Sequence, residues 1–193
     1  MKLVRTSLAV AALALTAVTA GAQSRQAAQS HSSVLSIQPL NAVYGVYSGE
    51  FEHAVASNKS LSLGVSYWGA SHEETNPSTG SSYTAGVDYL SFDSKYRYYP
   101  NHALRGFSFA GSLGFSRLSG DVGAKDSTGT SSASGSLNAI AAGMELSYSW
   151  LLGKEEKFHI GTGIGAKKLF PMGDNSGITL AYPTMRISVG YAF

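Results

Sequence analysis

The sequence has 193 residues, of which 13% are charged, against about 25% in a typical soluble domain. It contains no cysteine, which excludes disulfides and a lipid-modified cysteine anchor. The formal net charge is +2, but the two surplus basic residues, Lys2 and Arg5, stand at the amino terminus. Beyond that segment the chain is formally neutral, so a nucleic-acid partner is not expected.

The first 22 residues have the layout of a secretory signal peptide. Lys2 and Arg5 precede an apolar stretch at 8–18, which ends in small residues up to Ala22. That stretch is too short to span a bilayer, which needs about 20 apolar residues. We therefore predict cleavage after Ala22, a flexible polar leader over 23–32 and a single domain over 33–193.

The rest of the chain alternates bulky apolar residues with small or polar residues at a period of two. The pattern is clearest at 61–67, 107–115, 140–150 and 158–167, and no stretch after residue 22 resembles a transmembrane helix. The second face is mostly Gly, Ala and Ser, whereas a soluble sheet would carry Lys, Glu and Arg there. These features predict an all-β, closed antiparallel barrel with its bulky face toward lipid.

The spacing of turn residues predicts eight strands. Seven are expected at 44–56, 60–69, 83–98, 106–118, 136–151, 157–169 and 178–193. Short links at 56–60, 99–105 and 152–157 are expected in the periplasm, and longer links at 70–82, 119–135 and 170–177 outside. An even strand number then requires a first strand at 33–42, despite Pro39, with a tight outer turn near 41–45.

The carboxyl terminus carries a recognisable pattern. Met185, Ile187, Val189, Tyr191 and Phe193 occupy every second position up to the last residue. This resembles the terminal signature of outer-membrane barrels, and the chain length resembles the OmpA-, OmpX- and OmpW-type group with eight strands. The resemblance implies an outer-membrane location, and assembly by periplasmic chaperones and by the barrel-assembly machinery that reads this strand.

Alternation also places a set of charged residues inside the barrel. They are Glu50, Glu52, Asp93, Lys95, Arg97, Glu145, His159, Lys167 and Arg186. Four acids face four bases, with His159 in addition, and an eight-stranded barrel is only just wide enough for side chains. Because isolated buried charge is costly, we expect a paired polar plug that sets register and blocks conduction. A narrow path for protons or solutes is the alternative.

Other candidate sites are weaker. His72, Glu73 and Glu74 could serve a hydrolase or bind a metal, but adjacent residues on a loop are poorly arranged for either. No enzyme activity, cofactor or metal is expected. Aromatic residues are expected in two interfacial girdles. The inner girdle would contain Tyr96, Tyr98, Tyr99, Trp150 and Tyr191, and the outer one Tyr67, Trp68 and Tyr83.

These features favour a structural or surface-interaction role in the outer membrane. Its partners would be outer-membrane lipid and an extracellular ligand at the loops 70–82 and 119–135. The sequence also allows two alternatives: a narrow pore or transporter for small molecules, and a secreted soluble carrier of the lipocalin type.

Overall fold

A computed structural model describes residues 31–125, 129–173 and 180–193, so the predicted signal peptide and most of the leader lie outside the described residues. These described residues form eight strands and one short helix. In order they are β1 (Ser33–Ile37), α1 (Pro39–Val43), β2 (Val46–Ala56), β3 (Lys59–Thr75), β4 (Ser82–Tyr98), β5 (Gly106–Lys125), β6 (Thr130–Leu152), β7 (Phe158–Pro171) and β8 (Leu180–Ala192). Within the described ranges, no helix has the length and apolar character needed to cross a membrane.

The strands form one closed, up-and-down antiparallel barrel. Each strand pairs with the next, and β8 pairs with β1, from Val34 opposite Ala192 to Ile37 opposite Val189. The predicted fold class and strand number are therefore confirmed.

The distribution of side chains is the reverse of that in a soluble barrel. Leu63, Leu113 and Met144 point outward with more than half of their surface exposed, whereas Ser62 and Ser108 point inward and are fully buried. Strand geometry explains the separation, because successive side chains point to opposite faces. The inner wall is thus small and polar, and the outer wall is bulky and apolar.

The first predicted strand is too long. β1 ends at Ile37, and residues 39–43 form helix α1 instead of strand and turn. Pro39 has no N–H for the sheet and suits the first turn of a helix, where no donor is needed. Gly45 follows the helix with φ +76°, a conformation that glycine adopts without steric cost.

The predicted outer loops are in large part strand. β3 continues to Thr75 and β5 to Lys125, and β6 already begins at Thr130. Residues 76–81 connect the first of these hairpins, whereas 126–128 of the second predicted loop and 174–177 of the third lie outside the described residues. The ladders of β3–β4, β4–β5 and β5–β6 continue through these Ser-, Thr- and Gly-rich segments, so their composition alone does not indicate a loop.

The end of the barrel with the short turns is filled by the β4–β5 connection. Tyr99 and Leu104 fold inward and are almost completely buried with Val34 and Ala192. Leu104 adopts φ +68°, which is unusual for a side chain of its size. The placement of Tyr99 in the aromatic girdle is therefore wrong, because its ring lies inside the barrel.

The last residue completes the seam between β8 and β1. The carbonyl oxygen of Phe193 accepts hydrogen bonds from the backbone N–H groups of Ser32, at 3.0 Å, and Ser33, at 2.9 Å. Its own N–H donates to the carbonyl oxygen of Ser33 at 2.9 Å. The backbone of Phe193 therefore helps to close the barrel, and its side chain points outward.

We expect Phe193→Ala to lower the amount of folded barrel in bacterial membranes, because it removes the terminal aromatic group and keeps the closing backbone bonds. Phe158→Ala is the matched control, since Phe158 lies at the same end of the barrel, opposite Tyr191, with a similar exposure of 46% against 40%. The measurement is the fraction of heat-modifiable protein in membrane extracts. Equal losses in both variants would show that the terminal position has no special role.

Candidate functional site: a charge network inside the barrel

Four alternate strands direct charged side chains toward the barrel axis. Glu50 comes from β2, Lys95 and Arg97 from β4, Glu145 from β6 and Arg186 from β8. In a ring of eight strands, β2 lies opposite β6 and β4 lies opposite β8. Acids therefore occupy one pair of opposite walls, and bases occupy the other pair.

Glu50 is bound by three cations. Its Oε2 accepts from Lys95 Nζ at 2.6 Å, and its Oε1 accepts from Arg97 Nη1 at 2.7 Å and from Arg186 Nη1 at 3.0 Å. The carboxylate side chain keeps only 2% of its surface exposed. Such short charge-assisted bonds supply the pairing that a buried carboxylate needs.

Glu145 completes the network on the opposite wall. Its Oε2 lies 3.1 Å from Lys95 Nζ, and its Oε1 lies 3.1 Å from both Arg97 Nη2 and Arg186 Nη2. Each of these three cations consequently contacts both Glu50 and Glu145. The side chains join all four even-numbered strands across the lumen.

A second layer lies toward the end with the short turns. Glu52 accepts from Arg97 Nη1 at 2.6 Å, from the Ser60 hydroxyl at 2.5 Å and from the Tyr99 hydroxyl at 2.5 Å. Ser60 and Tyr99 were not predicted as members of this cluster. For Tyr99 the signal was present, because it has the same parity as Lys95 and Arg97 and alternation points it inward.

The remaining predicted residues lie inside the barrel but outside this network. Lys167 Nζ binds Asp93 Oδ2 at 2.7 Å, and the Ser91 hydroxyl donates to the same oxygen at 3.3 Å. His159 is 2% exposed, and its Nδ1 has no hydrogen-bond partner within the described ranges. The nine predicted residues thus form a six-member network, an ion pair and a single buried histidine.

Small residues on neighbouring strands make room for the charges. A Cβ at Gly114 of β5 would lie 2.5 Å from Asp93 Oδ1 and 2.5 Å from the Phe92 carbonyl oxygen. At Gly143 of β6 it would lie 2.8 Å from both Lys167 Cγ and Ser112 Oγ. The Gly-rich inner face is therefore a steric requirement of the charged residues beside it.

A polar cavity of about 310 Å³ lies on the other side of the network, toward α1. Glu50, Lys95 and Arg186 contribute to its lining, and so do Tyr182 and, from α1, Asn41. Beyond the network, the buried Tyr99 and Leu104 fill the opposite end of the barrel. The lumen is therefore interrupted by two successive layers of side chains.

His72, Glu73 and Glu74 lie in β3 and not in a loop. The strand places Glu73 on the opposite face from the other two, so the three side chains do not converge. Among the residues that the structure describes, no group of three His, Cys, Asp or Glu side chains is arranged to hold a metal ion.

Comparison with solved structures finds three proteins that are similar to this chain to different degrees. Ail, the attachment invasion locus protein of Yersinia pestis, in complex with the heparin analogue sucrose octasulfate, has a TM-score of 0.56 at 14% identity and covers 84% of this chain and 99% of Ail. CarO2 of Acinetobacter baumannii has 0.48 at 13% identity, and the amino-terminal barrel domain of Pseudomonas aeruginosa OprF has 0.41 at 13%, each covering 84% of this chain and 98% of its own.

Comparison with models of protein families finds no match, and neither does comparison with curated proteins. The likeness to Ail therefore concerns the fold. This likeness in fold confirms the predicted resemblance to small outer-membrane β-barrels.

We expect Glu50→Gln to lower the free energy of unfolding by about 3–5 kcal/mol, because it leaves three buried cations short of one negative charge. Glu156→Gln is the control. Glu156 pairs with Arg105 at 2.8 Å, but their side chains are 41% and 57% exposed, so its loss should cost about 1 kcal/mol or less. Urea unfolding of the barrel in lipid vesicles measures both values. Equal effects would contradict the central place of Glu50.

We expect Gly114→Ala to destabilise the barrel by about 1–3 kcal/mol, since the new methyl group must displace Asp93 or the backbone of β4. Gly111→Ala, on the same strand, is the control because its Cβ would meet no atom within 4 Å. The same urea titration compares them. A Gly114→Ala barrel as stable as Gly111→Ala would show that the inner wall tolerates larger side chains.

Proposed function

We propose that this chain is an exported, non-enzymatic barrel of the bacterial outer membrane that does not conduct and acts structurally or through contacts at the cell surface. The observation that carries the proposal is the network of Glu50, Lys95, Arg97, Glu145 and Arg186, which crosses the lumen of a barrel with an apolar exterior.

The outer face supports the membrane location. Outward residues are apolar or aromatic, with small residues between them, over 90–98 of β4 and 107–115 of β5, which is about the 9–11 residues that a tilted strand needs. Beyond this belt the outward positions of β5 become polar, with Arg117, Ser119 and Asp121. We infer that the short turns lie in the periplasm and that the long hairpins project outside.

The side-chain distribution argues against the two alternative functions. A pore needs a continuous aqueous path, whereas the charge network and the buried Tyr99 and Leu104 both obstruct this one. A soluble carrier of apolar ligands needs an apolar interior and a polar exterior, and this barrel has the reverse. Conduction would require the network to open.

The long hairpins are the surfaces available for interaction. β5 and β6 have 20 and 23 residues, about twice the length that the hydrocarbon requires. Ail, whose structure holds a heparin analogue, supports a role in surface contact. However, the exposed ends of these strands carry Glu73, Glu74 and Asp121 as well as Lys125, so a polyanion is not the ligand that we infer here.

The same proposal includes two steps of biogenesis, removal of the signal peptide and recognition of the last strand. The signal peptide would be removed after Ala22, and the assembly machinery would recognise Met185, Ile187, Val189, Tyr191 and Phe193. Support comes from the outward exposure of Met185, Tyr191 and Phe193 on β8 and at its end, where they are accessible to a receptor.

We expect the wild-type protein to show no stepwise conductance in planar lipid bilayers, because the ion network and the buried Tyr99 and Leu104 both obstruct the lumen. The combined variant Tyr99→Ala, Leu104→Ala, Glu145→Ala, Arg186→Ala removes side chains from both obstructing layers and should produce conductance steps. The variant Arg105→Ala, Glu156→Ala loses an exposed pair outside the lumen and should stay silent. Reproducible steps from the wild type would overturn the proposed closed lumen.

The absence of native cysteine allows the orientation to be tested directly. Ser131→Cys, near the end of the β5–β6 hairpin, should react with a membrane-impermeant maleimide on intact cells. Lys154→Cys, in the β6–β7 turn, should react only after the outer membrane is permeabilised. Labelling in the opposite order would invert the proposed topology.

A further inference from the structure

A basic residue interrupts the apolar belt of β7. Lys168 points outward, is exposed and lies ten residues beyond Phe158 at the start of the strand. This distance matches one crossing of the hydrocarbon, so the ammonium group lies near the outer interface. Within the described ranges, no carboxylate lies within ion-pair distance of its Nζ, which lies 5.1 Å from the centre of the Phe170 ring.

An apolar groove begins at this lysine and runs along the lipid-facing wall. Ala142, Ala166 and Ala181 contribute to its lining on β6, β7 and β8, and the larger Leu113 and Met144 stand beside them. The groove continues to Tyr96, two residues from the short-turn end of β4. It therefore descends diagonally through the membrane from Lys168.

We propose that this groove binds a phosphorylated lipid at the outer interface of the membrane, with the phosphate on Lys168 and one acyl chain between Leu113 and Met144. The inference rests on the membrane location proposed above. A single cation above an apolar groove complements an amphiphile with a negative head group and a hydrocarbon tail. Basic residues at membrane interfaces recognise lipid head groups through the same attraction.

The groove distinguishes a lipid-binding site from a lysine that merely extends its ammonium group toward water. A lysine at the edge of a membrane extends its ammonium group toward the interface whether or not a lipid is bound. A groove below it adds a requirement for the tail, which a free phosphate ion cannot satisfy. Binding should consequently depend both on the charge and on the open space beside Ala166.

The test uses the folded barrel in a maltoside detergent, with retained lipid counted by native mass spectrometry. The probes are dioleoyl phosphatidic acid and dioleoylglycerol, which has the same chains without the phosphate. We expect the wild type to retain phosphatidic acid in preference to dioleoylglycerol. Lys168→Gln should retain about fivefold less phosphatidic acid, the effect expected of one lysine near a charged surface.

A second pair of variants tests the groove. Ala166→Phe fills it and should also release phosphatidic acid, whereas Thr162→Phe, outward on the same strand, should not. Lys154→Gln, an exposed lysine at the other end of the barrel, is the charge control. Undiminished retention in Lys168→Gln or in Ala166→Phe would overturn the proposal, and so would displacement of the lipid by an equal concentration of inorganic phosphate.

Heat-modifiable migration of each variant shows independently whether the barrel is folded. A wild type that stays soluble and folded without detergent would instead overturn the proposed membrane function. The two failures are therefore distinguishable.

Discussion

The structure depends on a ring of charges that alternates in sign around the barrel axis. Glu50, Arg97, Glu145 and Arg186 each come from a different even-numbered strand, and each contacts both neighbours of opposite charge. Buried ion pairs give little net stability, but removal of one member leaves an uncompensated charge and costs far more. The ring therefore selects one relative position of four strands and penalises every other register.

The rest of the inner wall follows from this constraint. Four large charged side chains fill the cross-section of a narrow barrel, so the odd-numbered strands can contribute only small groups such as Ser62 and Gly163 at the same level. The bulky side chains are left to the outer face, where lipid accommodates them. A polar interior and an apolar exterior are thus two results of one packing problem.

Period-two alternation was enough to predict the closed fold and the inward direction of the charged residues, and the spacing of turn residues together with parity predicted the strand number. It could not predict partners, because contacts such as Glu50 with Arg186 depend on how the ring closes. It also failed where composition is ambiguous: the exposed ends of β5 and β6 have the Ser and Gly content of loops. Pro39 marked the end of β1, but parity alone demanded a strand there, and only the structure shows that five residues suffice.

The shortness of β1 makes the barrel mechanically uneven. Only four residue pairs join β1 to β8, whereas twenty join β5 to β6. The two most distant parts of the chain meet along this line, so closure must await synthesis of the last strand and carries the largest loop entropy. Under strain, the hydrogen bonds between β1 and β8 will break first. The barrel then has two unpaired strand edges, while the rest of the sheet stays intact.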